Sequence, residues 1–465
     1  MTRIHLIGIG GTGLSAIARV LLEMGYAVTG SDRAESSFTR DLAREGATIY
    51  IGHRPENIGQ AELVVRSSAI PDDNPEVAAA RLAGIPVLKR SDFMGFLMQG
   101  KQGIAVAGTH GKTTTTAMIA WMLSELNQDP SFIAGGVLSN LGINARAGKG
   151  ETFVIEADEY DRMFLGLQPT IQVVTNVEHD HPDCYPTPAD IKAAFMDFIR
   201  LLPADGVLIA CCDDPGAFSL LAAAKKMKKS TICYGLQPTD ADGFPVNAHV
   251  RTLEPNRQGG FTFTASVLET PVTVVLQVPG RHNVSNALAS LAVARTLGLD
   301  LGQAAVALGQ FTGTGRRFEV RGEVAGVTVI DDYAHHPTEI RATLSAARSR
   351  YPSRRIWAVW QPHTYSRTRT LLEDFVRSFG DADRVIITEV YAAREPHQDF
   401  SARQLVEAMQ HPAAQFIPGL QEVSHYLLSN LRPGDVLLVL SAGDADQVSN
   451  DVLTRFKGVG GSHGN

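Results

Sequence analysis

A glycine-rich turn at residues 108–114 constrains the fold of this chain more than any other segment. Four apolar residues, 104–107, lead into the turn, and a helix-like stretch from Thr113 to Leu126 follows it. A buried strand that enters a tight glycine turn and continues as a helix is the unit from which parallel α/β sheets are built. The chain is therefore predicted to be an α/β protein.

The same pattern of strand, turn and helix starts three times along the chain. It begins near residue 4, again at residue 104, and again near residue 327. A chain of 465 residues is also too long for one hydrophobic core, because cores stop growing at roughly 250 to 300 residues. The sequence therefore predicts several domains.

We expect three domains with boundaries where the pattern restarts. Residues 1–99 are predicted to form a Rossmann-like domain, residues 100–313 a central P-loop ATPase-type domain with a mixed sheet, and residues 314–465 a C-terminal Rossmann-like domain. Alternating Thr, Val and Phe residues at 245–278 predict hairpins appended to the parallel core of the central sheet.

The composition excludes several classes of protein. A net charge of −7 made of mixed acidic and basic residues provides no basic field for a nucleic-acid backbone. No window reaches the roughly 18 to 20 apolar residues that a membrane helix needs. The four cysteines contain no C-x-x-C pair, so a reducing compartment fits best. We expect a cytoplasmic monomer or homodimer that binds neither nucleic acid nor membrane.

The glycine turn at 108–114 has the context of a phosphate-binding loop. Backbone N–H groups and the start of the following helix can hold phosphate oxygens, Lys112 can face the terminal phosphates, and the Thr113 hydroxyl can ligate magnesium. The segment departs from the usual pattern because Val106 occupies the first glycine position. A plain helix-capping turn is the rival interpretation, and the order of strand, Gly-Lys-Thr and helix favours ATP.

A second glycine motif, residues 8–13, follows the first strand, and Asp32 ends the second strand. This form matches a dinucleotide fingerprint, in which a diphosphate meets the helix start and an acidic side chain accepts from a ribose hydroxyl. A UDP-sugar satisfies the same form as well as NAD does. From form alone, NAD is the leading ligand.

Several polar motifs follow apolar strands, where ligands gather at the carboxyl ends of parallel strands. Glu156 and His181 lie in such motifs and could hold magnesium beside ATP phosphates, although acidic strand ends are commonly solvated loops. The remaining motifs occupy residues 279–286, 316–319, 331–337, 361–369 and 391–395. Arginines in the last two motifs suit carboxylate or phosphate recognition.

These motifs, in this order over nearly the whole length, resemble those of the Mur ligases of peptidoglycan synthesis. The resemblance implies an ATP- and Mg²⁺-dependent enzyme that joins L-alanine to the lactyl carboxylate of UDP-N-acetylmuramate through an acyl phosphate, releasing ADP and phosphate. The ligase that recycles murein tripeptide is the alternative within the family, because Tyr160 follows Glu159 as it does there. From other classes, an NAD-dependent oxidoreductase and a P-loop switch protein remain alternatives.

The resemblance also implies roles for individual residues. ATP contacts are expected from Gly108, Thr109, His110, Gly111, Lys112, Thr113, Thr114, His282, Asn283, Asn286, Arg317 and Asp332. Magnesium ligands are expected from Thr113, Glu156 and His181. Contacts to the UDP-linked substrate or the amino acid are expected from Gly10, Gly11, Thr12, Gly13, Asp32, Ser68, Tyr333, His335, His363, Arg367, Arg369 and Arg394. Lys112 and Arg317 are the expected catalytic cations, and His335 is the candidate base.

One feature of the sister ligases is not expected here. Several of them hold a second magnesium with a carbamylated lysine about fifteen residues after the histidine equivalent to His181. This chain has Met196 in that region and no lysine nearer than Lys192. A carbamate is therefore not predicted.

Overall fold

The computed structural model describes residues 2–238, 244–393 and 395–460, with side chains described up to residue 456. Three separate β-sheets follow one another along the chain. Within the described ranges, no helix combines the length and the apolar character needed to cross a membrane.

The first sheet has five parallel strands in the order β3-β2-β1-β4-β5. Its strands β1 and β4 are almost entirely buried, as expected for a parallel sheet covered by helices. The strands are β1 (Arg3–Ile7), β2 (Ala27–Asp32), β3 (Thr48–Ile51), β4 (Leu63–Arg66) and β5 (Val87–Lys89). The helices are α1 (Thr12–Glu23), α2 (Ser37–Arg44), α3 (Pro75–Leu82) and α4 (Arg90–Leu97), with a 3-10 turn at Pro55–Ile58.

The second sheet has ten strands in the order β15-β14-β13-β12-β11-β10-β6-β9-β7-β8. The strands are β6 (Gln102–Ala107), β7 (Ser131–Leu138), β8 (Ile143–Arg146), β9 (Thr152–Glu156), β10 (Ile171–Val174), β11 (Val207–Cys211), β12 (Ser230–Gly235), β13 (Ala248–Pro255), β14 (Phe261–Val267) and β15 (Thr270–Val275). The helices are α5 (Lys112–Glu125), α6 (Pro188–Arg200), α7 (Pro215–Lys226), α8 (Arg281–Thr296) and α9 (Leu301–Gly309), with a 3-10 segment at Tyr160–Gly166. Strands β13, β14 and β15 pair antiparallel, which confirms the predicted hairpins.

The third sheet has six strands in the order β16-β17-β21-β18-β19-β20, and only β16 pairs antiparallel within it. The strands are β16 (Glu319–Val324), β17 (Val327–Asp332), β18 (Ile356–Gln361), β19 (Arg384–Ile387), β20 (Ala414–Phe416) and β21 (Val436–Ser441). The helices are α10 (Pro337–Arg350), α11 (Tyr365–Thr370), α12 (Leu372–Val376), α13 (Arg403–Ala408), α14 (Leu420–Asn430) and α15 (Asp446–Gly460).

The three sheets confirm the predicted α/β fold class with a mixed central sheet. Each sheet lies inside one of the three predicted ranges, and the positions of the boundaries at 99 and 313 stay predictions. One apolar core runs from Ile4 in the first sheet to Phe311 at the end of the central region. The third region has its own core on each face of its sheet, around Trp360 and around Trp357.

Candidate active site

The turn at 108–114 connects β6 to α5 and leaves the start of α5 open. Gly108 has a φ of 140° and Gly111 a φ of 80°, and a Cβ on Gly108 would lie 2.0 Å from Thr175 Oγ1. Both positions therefore require glycine. No side chain caps the first backbone N–H groups of α5. The N-terminus of α5 is free to bind an anion.

Lys112 lies under this turn and its charge is paired within the central region. Its Nζ donates to the carbonyl oxygen of Gly108 at 2.6 Å and to Glu159 Oε1 at 2.8 Å. Burial raises the pKa of Glu159 to about 7 even though the nearby ammonium of Lys112 opposes that rise. The structure thus holds Lys112 beside the turn through a buried carboxylate that the sequence did not single out.

A cavity of about 730 Å³ extends from the start of α5 toward α8 and α10. We call it the first cavity. Nine residues with predicted ATP contacts line it, namely His110, Gly111, Thr113, Thr114, His282, Asn283, Asn286, Arg317 and Asp332. Asn286 Oδ1 would lie 3.1 Å from a Cβ on Gly111, so α8 packs directly against the turn. The first cavity joins the N-termini of two helices with residues from the third region.

A second cavity of about 740 Å³ lies on the other side of the turn, and all three regions contribute to it. The predicted site residues that line this second cavity are Thr12, Ser68, Thr109, Lys112, Thr113, Glu156, His181, Arg317, Tyr333, His335, His363 and Arg367. Thr113, Arg317 and Glu339 line both cavities. The two cavities therefore meet at the turn, between a hydroxyl, a guanidinium and a carboxylate.

The predicted magnesium ligands share the second cavity. Thr113 Oγ1 donates to Glu156 Oε1 at 3.0 Å, and the backbone N–H of Gly135 donates to Glu156 Oε2 at 2.6 Å. His181 has a φ of 54°, and its Nε2 lies 3.7 Å from Glu159 Oε1. Hydroxyl and carboxylate oxygens are the donors that Mg²⁺ prefers, so Thr113 and Glu156 fit this ion where the two cavities meet.

Residues of the third region close over the turn. Arg317 Nη1 lies 3.7 Å from Glu339 Oε1, and its guanidinium stacks 5.1 Å from the ring centre of Tyr333. Asp332 accepts from the backbone N–H of Phe318 at 2.7 Å, and burial raises the pKa of this carboxyl to about 6. Arg317 is thereby fixed at the junction of the two cavities.

His335 lines the second cavity as an uncharged imidazole. Its Nδ1 lies 3.0 Å from the carbonyl oxygen of Tyr333, so Nδ1–H is the donor and Nε2 carries the free lone pair. Burial lowers the pKa of His335 to about 3. A group with so low a pKa is a weak proton acceptor, which argues against its predicted role as the base in this arrangement.

Arg367 joins the central and third regions at the far end of the second cavity. Its Nε donates to Asp180 Oδ1 at 2.8 Å, and both side chains are only 4% exposed. Its Nη1 lies 3.0 Å from His363 Nδ1. Burial opposes ionisation of Asp180, but the guanidinium of Arg367 holds the pKa of that carboxyl well below its usual range.

Six of the predicted binding residues line neither cavity, namely Gly10, Gly11, Gly13, Asp32, Gly108 and Arg369. Asp32 Oδ2 accepts from the backbone N–H of Gly10 at 2.8 Å, so Asp32 shapes the glycine turn and does not line either cavity. Arg369 is exposed, stacks 5.1 Å from the Phe400 ring and lies apart from Arg367, because α11 turns it to the outer face. Arg394 lies outside the described residues.

Besides Glu159, sequence reasoning missed two further side chains at the site. Glu339 accepts from the backbone N–H of His335 at 3.0 Å and lines both cavities. Arg90 lines the second cavity and lies against the first turn of α1, where a Cβ on Gly13 would be 1.6 Å from its Nη1. Glu339 could have been found from its position three residues after the helix-capping His336, which is the spacing of a capping box. The sequence around Arg90 carries no comparable signal.

Comparisons with known proteins agree with this geometry. The family model "Mur ligase family, catalytic domain" matches residues 3–102, "Mur ligase middle domain" matches residues 106–294, and "Mur ligase, glutamate ligase domain" matches residues 316–443. A UDP-N-acetylmuramate--L-alanine ligase of Pelotomaculum thermopropionicum is 44% identical over 458 residues, which is 98% of this chain and 97% of that relative.

Solved structures show the same architecture. The UDP-N-acetylmuramate-alanine ligase of Thermotoga maritima superposes with a TM-score of 0.81 at 28% identity, over 99% of this chain and 100% of that one. A murein peptide ligase of Psychrobacter arcticus superposes with a TM-score of 0.71 at 25% identity, over 98% and 99%. The matched models and the full-length relative together show that the chain belongs to the Mur ligase family.

Proposed function

We propose that this enzyme joins L-alanine to the lactyl carboxylate of UDP-N-acetylmuramate at the expense of ATP. The observation that carries the proposal is the meeting of two large cavities at Thr113 and Arg317. The first cavity suits an adenine nucleotide whose terminal phosphate reaches the turn, and the second suits the UDP-linked acid. The relatives named as ligases of UDP-N-acetylmuramate and L-alanine support these substrates.

Magnesium would be held by Thr113 and Glu156, with His181 on the same cavity wall. When bound, the ion offsets charge on the phosphate oxygens. The hydroxyl of Thr113 already faces the Glu156 carboxylate at 3.0 Å. The four cysteines are free in the structure, which supports a reducing, cytoplasmic setting for the reaction.

The reaction proceeds in two steps at the junction of the cavities. A carboxylate oxygen of the lactyl group attacks the γ-phosphorus of ATP, the bond to ADP breaks, and an acyl phosphate forms. The amine of alanine then attacks the acyl carbon, and phosphate leaves. Lys112 and Arg317 provide positive charge on opposite sides of the transferring group, where fixed charges lower the barrier most.

The chain's own residues also keep water away from the acyl phosphate. The third region contacts the central region through buried groups, including Asp180 and Arg367. Enclosure of this kind protects a reactive intermediate from hydrolysis. The low pKa of His335 keeps its ring neutral, so we assign His335 to hydrogen bonding through Nε2 and leave the proton of the amine to another acceptor.

Ligation of a murein tripeptide is the second candidate function. Tyr160 favours it, because its ring lines the second cavity and lies edge-on to His181 with ring centres 5.0 Å apart. Against it, the murein peptide ligase superposes less closely on this chain than the alanine ligase does, with TM-scores of 0.71 and 0.81.

Phosphate release with each substrate omitted in turn tests the proposed function. We expect release only when ATP, magnesium, UDP-N-acetylmuramate and L-alanine are all present, with one amide formed for each phosphate. Replacement of alanine by L-alanyl-γ-D-glutamyl-meso-diaminopimelate tests the second candidate. Faster turnover of UDP-N-acetylmuramate with that tripeptide than with L-alanine would reverse the ranking of the two functions. Phosphate release without any amino acid or peptide would indicate a P-loop switch.

A further inference from the structure

His110, in the turn at 108–114, lies between two carboxylates that belong to different regions of the molecule. Its Nε2 lies 3.3 Å from Glu178 Oε2 in the central region, and its Nδ1 lies 3.2 Å from Glu339 Oε1 in the third region. The His110 side chain is 10% exposed. A buried imidazole thus connects the phosphate-binding turn to the region that must close over it.

The geometry determines the charge of this imidazole. A neutral ring has one N–H and one lone pair, so one of its nitrogens would point a lone pair at a carboxylate. With both nitrogens protonated, each carboxylate accepts a hydrogen bond. Although burial alone would lower it, the bonded carboxylates of Glu178 and Glu339 raise the pKa of His110 to about 9.

The neighbouring His336 stays neutral, so one positive charge sits between the two carboxylates. The ring centres of His110 and His336 are 4.5 Å apart. His336 Nδ1 accepts from the backbone N–H of Thr338 at 3.3 Å, which leaves no room for a proton there. Burial, and then the charge of His110, lower the pKa of His336 to about 4.

Each region provides a carboxylate that accepts hydrogen bonds from the other across the boundary between the central and third regions. Glu178 of the central region accepts from Thr338 Oγ1 of the third region at 2.8 Å. Glu339 of the third region accepts from His110 and also from the backbone N–H groups of His335 and His336. Glu339 further lies 3.7 Å from Arg317. A continuous chain of contacts therefore runs from the turn through His110 and Glu339 to Arg317.

We propose that His110 is a positioning residue: as a doubly bonded imidazolium it couples the phosphate-binding turn to the third region and sets Arg317 at the junction of the cavities. The proposal rests on the proposed function. His110 acts through Glu339, so its loss misplaces Arg317 and does not remove a contact to the reacting atoms.

A metal ion is the competing occupant of the same place. His110, Glu178 and His336 have ligand atoms within 4.8 Å of one another. The N–H groups that His110 directs at both carboxylates and the bond that Thr338 donates to His336 already use these atoms. The contacts present therefore satisfy His110 and Glu178 without a cation, and they leave His336 Nε2 as a buried atom with no hydrogen-bond partner among the described residues.

The titratable groups that face His110 are Glu178 in the central region, Glu339 and His336 at the start of α10, and Asp214, more distantly, at the start of α7. Because the pKa of His110 is raised, its contribution to the closed state is present below pH 6.5. That contribution is lost as the pH rises through about 9. Closure of the third region should weaken at alkaline pH.

The test is a double-mutant cycle on the full-length enzyme. His110→Gln is expected to lower kcat about ten- to hundredfold, the scale of a small misplacement of catalytic groups, while KM for ATP changes by less than about threefold. Glu339→Gln should lower kcat similarly. If both act in one chain, the double variant loses no more than the worse single variant. His411→Gln, which replaces a histidine bonded only to backbone within the third region, serves as the control and should retain native kcat.

Small-angle scattering with a non-hydrolysable ATP analogue, magnesium and UDP-N-acetylmuramate gives the second readout. The radius of gyration should shrink on ligand binding in the native enzyme and in His411→Gln, and much less in His110→Gln. The proposal would be overturned if the losses of His110→Gln and Glu339→Gln added up in the double variant. It would also be overturned, in favour of a direct nucleotide contact, if His110→Gln closed normally and only its KM for ATP rose. A third outcome would favour the metal site instead: the native enzyme loses closure after treatment with a chelator and regains it when zinc is added at micromolar concentration.

Two further measurements separate a folding defect in His110→Gln from a failure of the inference, and a failure of the inference from a failure of the proposed function. If His110→Gln does not fold, scattering of the native complex across pH 7 to 10 decides, because the proposal requires expansion as the pH passes about 9, and an unchanged radius contradicts it. Amide formation by the native enzyme is measured first. Its absence would reject the proposed function, whereas native kcat in His110→Gln would reject this inference alone.

Discussion

The two boundaries of the central region are built from different interactions. Toward the N-terminal region the boundary is apolar: one core is continuous from Ile4 to Phe311, and α1 packs on β7 and β8. Toward the C-terminal region it is polar, with the pairs Asp180–Arg367 and Glu178–Thr338 crossing between separate cores. Neighbouring boundaries in one chain thus follow different physical principles.

This difference indicates which boundary moves. Burial of apolar surface is non-directional and is lost as a whole when two surfaces separate. Buried ionic contacts nearly balance their desolvation cost, so they fix one geometry without contributing much net stability. We infer that the first two regions form a lasting unit. We infer further that the third region is the part that moves relative to this unit.

Separating the regions would test the comparison most strongly. A fragment of residues 314–465 should fold alone, because its apolar cores are complete within it. A fragment of residues 1–99 should be strongly destabilised, because Phe93 and Leu97 are buried against the central region. Circular dichroism and calorimetry of both fragments give the readout. A sharp melt for 1–99 and none for 314–465 would reverse our account.

Lys112→Ala should separate chemistry from closure. We expect turnover to fall at least about a hundredfold, the scale of losing one transition-state charge contact, without a change in domain closure. The variant should also lose stability, because the buried Glu159 loses the ammonium group with which it is paired. Lys112→Ala with Glu159→Gln should recover stability but not turnover. Native turnover in a folded Lys112→Ala would remove the assignment of the phosphate loop.

Asp180→Asn should act on the polar boundary alone. It leaves the guanidinium of Arg367, 4% exposed, without its carboxylate partner. We expect kcat to fall roughly tenfold or more, with ligand-induced closure weakened, since removing one member of a buried pair is costly. Ser366→Ala, which removes a neighbouring hydroxyl bonded to Glu395, is the matched control. Unchanged closure in Asp180→Asn would show that this pair does not hold the boundary.

Acid should open the polar boundary before it melts the apolar one. Burial opposes ionisation of Glu178, but its bonds to His110 and Thr338 lower the pKa of Glu178 to about 2. A lowered pKa means that its contribution is present above about pH 4.5 and is lost as the pH falls toward 2. Scattering should therefore show a small expansion in that range. Coincident loss of far-ultraviolet circular dichroism at the same pH would argue that both boundaries fail together.

Local patterns were sufficient to predict the elements and the turn. The strand at β6, the glycines with positive φ and the start of α5 lie within a few residues of each other, so the sequence predicted them together. The hairpins β13 to β15 were equally clear, because residues that alternate between apolar and polar along a strand indicate that one face of the strand is buried. These features depend on neighbours in the chain.

Contacts between distant segments were not predictable from the same patterns. Glu159 looked like part of an acidic strand end, yet it pairs with Lys112 from the turn. Arg90 begins an ordinary helix, and only the folded arrangement brings its guanidinium to Gly13. Asp32 matched a ribose-binding position, and its Oδ2 accepts from the backbone N–H of Gly10, so its contact to the substrate stays a prediction. Three-dimensional packing decided each of these contacts within the chain.

The central claim is that the substrate's own carboxylate attacks ATP where the two cavities meet, and an isotope measures this directly. With oxygen-18 in the lactyl carboxylate and alanine present, the account predicts one labelled oxygen in the inorganic phosphate released with each amide, because the acyl carbon–oxygen bond breaks in the second step. Label in AMP would indicate an adenylate, and unlabelled phosphate accompanying amide product would contradict the acyl phosphate.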